Sequence, residues 1–156
     1  MSCRDALIEK VLTAWPEQTV EAILKDMRKN NVSFVPVVDG NKTLVGQFSI
    51  SLLLEDTLPV SLAAGSGGGD KNLLMNVVIP ASVGLSKRLQ RSLGVPVSAL
   101  MQRVSSVLYA DSPLEAAIQE VSKAGGPVPV VERGKNTLLG MISAESILAF
   151  LEKEKS

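Results

Sequence analysis

The 156 residues hold 16 basic and 16 acidic side chains, 46% hydrophobic residues and 21% charged ones. That balance advertises neither nucleic acid nor an acidic membrane surface as a partner. There is no histidine and a single cysteine, Cys3, which excludes Ser-His-Asp chemistry, most zinc sites and an internal disulfide.

The chain opens with Ala6, Leu7, Ile8, Val11 and Leu12 before Pro16, read as a turn of helix near 3–8 and a short extended lead-in at 11–14. From Thr19, the residues Val20, Ile23, Leu24 and Met27 fall at i, i+3, i+4 and i+7, the stripe of an amphipathic helix. Asn30-Asn31 stops it. Strands near 33–38 and 43–48 follow, joined by Asp39-Gly40-Asn41-Lys42 as a hairpin turn. Ser51 is expected to open a second helix.

The same order returns near the carboxyl end. Val97–Met101 matches the opening turn, and Val107-Leu108-Tyr109 matches the lead-in. Ser112-Pro113-Leu114-Glu115 reads as a helix start, with a capping hydroxyl, proline at the first helical position and glutamate after it. Gly125-Gly126 ends that helix. A second hairpin runs from Val128-Pro129-Val130-Val131 to Ile142-Ser143, and a last helix starts near Ala144. Ser49 and Ser143, each after a Gly-x-x spacing, lie 94 residues apart, as do Val20 and Leu114. Repetition of this kind defines the architecture. Between the copies, Gly65–Gly69 has connector composition. Asp70 is expected to cap a short helix through Leu73–Met75, Pro80 interrupts, and Leu85, Leu89 and Leu93 mark a second short amphipathic helix.

An extended lead-in, a helix, a Pro-Val-Val hairpin, then Gly-x-x-Ser and a helix, all in two copies, resembles the CBS domain named for cystathionine β-synthase. Two such domains form a tandem called a Bateman module. The resemblance implies a mixed α/β fold of two β-α-β-β-α repeats packed sheet to sheet about a pseudo-twofold axis. The expected organisation is a first repeat over 1–55, an inserted linker with short helices over 56–95, and a second repeat over 96–156. It further implies a regulatory module that binds an adenosyl ligand (AMP, ADP, ATP, S-adenosylmethionine or NAD) in the cleft between repeats, pairs as a homodimer and signals to a regulated protein.

A strand ending in glycine lets backbone approach a ligand closely, and a hydroxyl beside a helix amino terminus offers donors to phosphate. Those hydroxyls are Ser49 and Ser143. By the resemblance an aspartate three residues later holds the ribose, but this chain has Leu52 and Ser146 there. A charge-assisted hydrogen bond contributes about 1.5–3 kcal/mol, so its loss weakens binding roughly tenfold to a hundredfold. Basic residues after the hydroxyl are absent too, and Glu145 would repel phosphate. The second cleft, with Ser143 and Ser146, is therefore the preferred site. Positions matching the family's adenine pocket are Thr13, Val35 and Pro36 in one copy, and Tyr109, Val128 and Pro129 in the other.

Lys87, Arg88, Arg91 and Arg103 read as a solvated face rather than as cations reaching a cleft, and Trp15 reads as a rim residue. No pair of carboxylates is spaced for acid–base catalysis, so the expectation is not an enzyme. The alternative reading is a degenerate pair kept as a dimerisation or docking scaffold without a nucleotide. No apolar run reaches the roughly 20 residues of a membrane span, and Met1–Asp5 lacks a secretory pattern. The expected location is cytoplasmic.

Overall fold

The computed structural model describes residues 1–58 and 84–154. The expected glycine connector and the helix capped by Asp70 lie outside the described residues. In the first half, helix α1 (Val20–Lys29) buries Val20, Ile23 and Met27. Its first turn is capped by Thr19, whose Oγ1 accepts from Ala22 N at 3.2 Å. Strand β1 (Phe34–Val38) pairs antiparallel with β2 (Leu44–Ser49). One carboxylate oxygen of Asp39 accepts from Asn41 N and Thr43 N, both at 2.9 Å, which closes the turn between them. Helix α2 (Ile50–Asp56) follows. Helix α3 (Leu85–Leu93) sits where the Leu85, Leu89, Leu93 spacing predicts one. It is tied to the end of α2 through Arg88 Nε to Thr57 O and Ser92 Oγ to Asp56, each 2.6 Å.

The second half repeats the plan. Helix α4 (Val97–Leu100), strand β3 (Leu108–Tyr109), helix α5 (Leu114–Ala124), hairpin β4 (Val128–Val131) and β5 (Leu138–Ile142), and helix α6 (Ala144–Lys153) succeed one another. Strand β3 pairs parallel with β4, and β4 pairs antiparallel with β5. Gly125 ends α5 in the left-handed region at φ 73°, a conformation glycine adopts without steric cost. The lead-in of the first half forms only a one-residue bridge. Ala14 N donates to Pro36 O, and Val38 N donates to Ala14 O.

Two helix starts differ from expectation. Ser49 rather than Ser51 caps α2, its Oγ accepting from Leu52 N at 3.2 Å. Ser112 does not cap α5; its Oγ accepts from Tyr109 N at 3.1 Å instead. The reason lies at the amino terminus of the chain. Leu114 N donates to Met1 O, so an arriving segment supplies the partner a cap would supply, and Pro113 stays extended at ψ 148°.

That arriving segment reveals the main feature of the fold. The opening turn of each half packs in the core of the other. A 3-10 turn at Cys3–Ala6 buries Cys3 and Ala6 against Leu108, Leu114, Val128, Val130 and Ile147. In return, Val97 is fully buried with Val20, Ile23, Val35 and Phe48, with Leu100 and Met101 beside it. The crossings occur in counterpart pairs. Cys3 N donates to Ser112 O and Val97 N to Gln18 O; Leu114 N donates to Met1 O and Val20 N to Val95 O. Ile8 bridges Met141, and Gln102 bridges Gln47. Thr43 and Thr137 bridge one another. Partners in each set are related by a shift of 94 residues, as a twofold relation between halves requires.

Candidate functional site

The crossing lead-in forms one wall of a cleft of about 790 Å³ between the halves. This lies within the roughly 300–1,000 Å³ typical of small-molecule sites. One side is Ile8 with Lys10–Leu12; the floor is Met141 and the start of α6, Ser143–Glu145; the far side joins Asn30–Phe34 to Val121, Ser122 and Gly125–Pro127. The last two segments are equivalent places in the two halves, each running from a helix end to the first hairpin strand. The cleft thus reaches from the second-half Gly-x-x-Ser turn towards the twofold relation.

Ser143 is held in place by its own helix. It is buried and extended at φ −132°, ψ 167°, and its Oγ accepts from Ser146 N at 3.1 Å. Ser146 closes the reciprocal bond, accepting from Ser143 N and donating to Ser143 O, both at 3.0 Å. This is a capping box with serine in the glutamate position. Ser143 keeps its own hydroxyl proton for another acceptor. On the opposite side, Asn30 ends α1 and its Nδ2 donates to Asp26 O at 2.8 Å. Asn31 follows in the left-handed region at φ 56°, which asparagine tolerates. Lys10 and Glu145 are the charged residues of the lining, and both are exposed.

Of the residues singled out from sequence, Ser143 lines this cleft. Ser146 acts on Ser143 from the first turn of α6. Ser49 makes the corresponding cap in the first half and is not in the lining. Val35 and Val128 are sealed in the two cores, and Pro36 and Pro129 are buried beside them. Successive side chains point to opposite faces of a strand, so the burial of adjacent Val and Pro shows that both faces of β1 and β4 are covered. Thr13 is half-buried and lines a separate hollow of about 280 Å³ with Glu9 and Lys42. Tyr109 lies beneath Arg133, whose guanidinium carbon is 4.2 Å from the ring centroid. Arg88 bonds Thr57 O, and Lys87, Arg91 and Arg103 are exposed and outside the lining. Trp15 is 52% exposed, also outside it.

Sequence reasoning passed over the helix-to-strand links as lining. Asn30-Asn31 and Gly125-Gly126 read only as stops; their equivalence under the 94-residue shift was the available signal. The glycines of Gly-x-x-Ser have another purpose than ligand approach. A Cβ on Gly140 would lie 2.2 Å from Ile8 O, and one on Gly46 would lie 2.9 Å from Met101 Sδ and 3.1 Å from Gln102 O. The glycines admit the crossing lead-ins.

Shifted ionisation lies elsewhere, around the second-half lead-in. Burial, then the negative charge of Asp111, pushes the Cys3 thiol up. The Arg133 hydrogen bond holds Asp111 below its ordinary value, across an exposed ion pair of 3.0 Å. Among the described residues no group of three or more His, Cys, Asp or Glu could hold a metal ion, and no helix is long and apolar enough to cross a membrane.

A family model for the CBS domain matches residues 3–56 and again 97–153. Among solved structures, CBSX2 from Arabidopsis thaliana, described as a CBS-pair protein, is 21% identical with a TM-score of 0.71, over 99% of this chain and 97% of that one. CBSX2 has also been solved in complex with AMP, at 22% identity and a TM-score of 0.70, covering 99% of both chains. The CBS domain pair of protein MJ0100, solved in complex with 5′-methylthioadenosine and S-adenosylmethionine, is 19% identical with a TM-score of 0.61, over 99% of this chain and 98% of that one. The chain spans 60% of the length of another similar structure, a Methanocaldococcus jannaschii protein. No curated protein matches.

Proposed function

The chain belongs to the CBS-domain family, carrying the domain twice, and from that premise we propose that it is a regulatory sensor of an adenosyl compound. The ligand sits in the cleft between the halves, against Ser143, and its occupancy is passed to a regulated protein. The observation that carries this reading is the cleft itself. It is a cavity of about 790 Å³ whose walls come from both halves, so a bound molecule touches segments of each. AMP in CBSX2 and the two adenosyl compounds in the MJ0100 pair support the ligand class. The sensor works without catalysis, in the cytoplasm, as two repeats, 1–55 and 96–156, about the inserted 56–95.

Calorimetry with AMP, ADP, ATP, S-adenosylmethionine and NAD tests the reading. At least one should give saturable heat and raise the melting temperature, since a ligand at a hundred times its Kd adds about 2.7 kcal/mol of stability. Ser143→Ala should weaken that ligand. No heat and no melting shift with any of the five would overturn the reading. It would leave a docking scaffold without a nucleotide, for which the self-satisfied Ser143–Ser146 box speaks.

The sensor is further proposed to act as a homodimer. Leu54 on α2 and Leu148 on α6 occupy equivalent positions and are 60% and 58% exposed, an uncovered apolar pair on the two Gly-x-x-Ser helices.

A further inference from the structure

We propose that the opening turn, Cys3–Ala6, is a strap that a molecule in the cleft locks onto the second core, so that occupancy leaves the cleft as attachment of this turn. The inference rests on the cleft being the ligand site. The lead-in belongs to both places at once. Ile8 lines the cleft, and its backbone exchanges hydrogen bonds of 2.8 and 3.0 Å with Met141, which also lines it. Lys10–Leu12 continue the same wall. Upstream, the same segment is docked on the second half. Cys3 N donates to Ser112 O at 2.9 Å, Arg4 N to Ala110 O at 3.1 Å, and Leu114 N to Met1 O at 3.1 Å. A molecule lying against both Ile8 and Ser143 therefore touches two surfaces that stay together only while the strap is docked. A ligand that binds one of two states better shifts the population towards it.

The two crossings are not equally firm. Under the 94-residue shift, Cys3, Ala6 and Ile8 correspond to Val97, Leu100 and Gln102. Cys3 and Ala6 give the second core smaller side chains than Val97 and Leu100 give the first, and a smaller apolar area holds less strongly. Met1, Arg4 and Asp5 are exposed and add little to that hold. Segments with few buried apolar contacts open before the rest of a fold does. Gln102 makes its bridge to Gln47 outside the cleft lining. The weaker crossing is thus the one the cleft touches. Ile8 and Val32, each 36% exposed, both line the cleft and offer apolar surface for an occupant to cover.

Amide hydrogen exchange of the full chain tests this, alone and with whichever of AMP, ADP, ATP, S-adenosylmethionine and NAD gives heat in calorimetry. Without ligand, the amides of Cys3, Arg4 and Ile8 should exchange at least about tenfold faster than those of Val97 and Gln102, as expected of an opening smaller than global unfolding. Ligand at a hundred times its Kd should slow the strap amides by up to about a hundredfold, because the undocked state does not bind it. Labelling of Cys3 by a disulfide reagent should slow in the same proportion. Strap amides no faster than Val97 and Gln102 in the free protein would overturn the inference, since the strap would then have no opening of its own. Binding heat with unchanged strap exchange would also overturn it, while leaving the adenosyl reading standing. No heat with any of the five would take down that reading and this inference together.

Discussion

Gly140 and Gly125 are both glycines for backbone reasons, and the reasons differ. A side chain on Gly140 collides with a carbonyl that cannot move without dragging the lead-in out of its bridge to Met141. Gly140→Ala should destabilise by about 1–3 kcal/mol or more, as overpacking does. A side chain on Gly125 meets nothing within 4 Å, and only the left-handed backbone resists it, so Gly125→Ala should cost about 1–2 kcal/mol. Urea midpoints of the two variants check the order. Cys3 makes a second residue-scale prediction. Its thiol is held above the ordinary value of 9.0, so the folded chain keeps a proton that the unfolded chain loses first. The stabilisation is complete below the ordinary value and is lost as pH rises through the folded one. Iodoacetamide should therefore modify native Cys3 far more slowly than a cysteine peptide at pH 8, and stability should decline on the alkaline side.

At the scale of elements, much was legible in advance. The stripe Val20, Ile23, Met27 is buried as its spacing predicts, and both hairpins form where a Pro-Val-Val run meets a polar turn. Local periodicity sets these, and local periodicity is visible in sequence. Where helices start was less legible. Ser112 has every attribute of a cap, yet Leu114 N finds Met1 O, a partner 113 residues away. The cleft residues escaped for the same reason. Asn30–Phe34 and Val121–Pro127 are brought together by packing between halves, and no short-range pattern encodes that. Val97 shows what such packing is worth. It belongs by position to the second repeat and by burial to the first core. Val97→Ala should destabilise by about 2–3 kcal/mol, in the range for large-to-small core changes. It should do so in a single cooperative transition, because the two cores share their opening turns. Two separate transitions in the denaturation curve would contradict that coupling.

For the whole molecule, the exposed pair Leu54 and Leu148 tests the proposed homodimer. Leu54→Asp with Leu148→Asp should leave the fold intact by circular dichroism, as both side chains already face outward. The double variant should scatter light as a monomer at micromolar concentration where the wild type scatters as a dimer. A wild type that scatters as a monomer would overturn the homodimer.

Crossed opening turns also govern the order in which a growing chain can settle. Residues 20–53 leave the ribosome together, but their core lacks Val97 until 44 further residues have been made. The opening turn at Cys3–Ala6 waits longer still, because Val128, Val130 and Ile147, which enclose Cys3, are made more than a hundred residues after it. At about 5–20 residues per second, the nascent chain spends seconds with apolar surface uncovered and its opening turn undocked. A burden on chaperones during translation is thus built into the way the two halves hold each other.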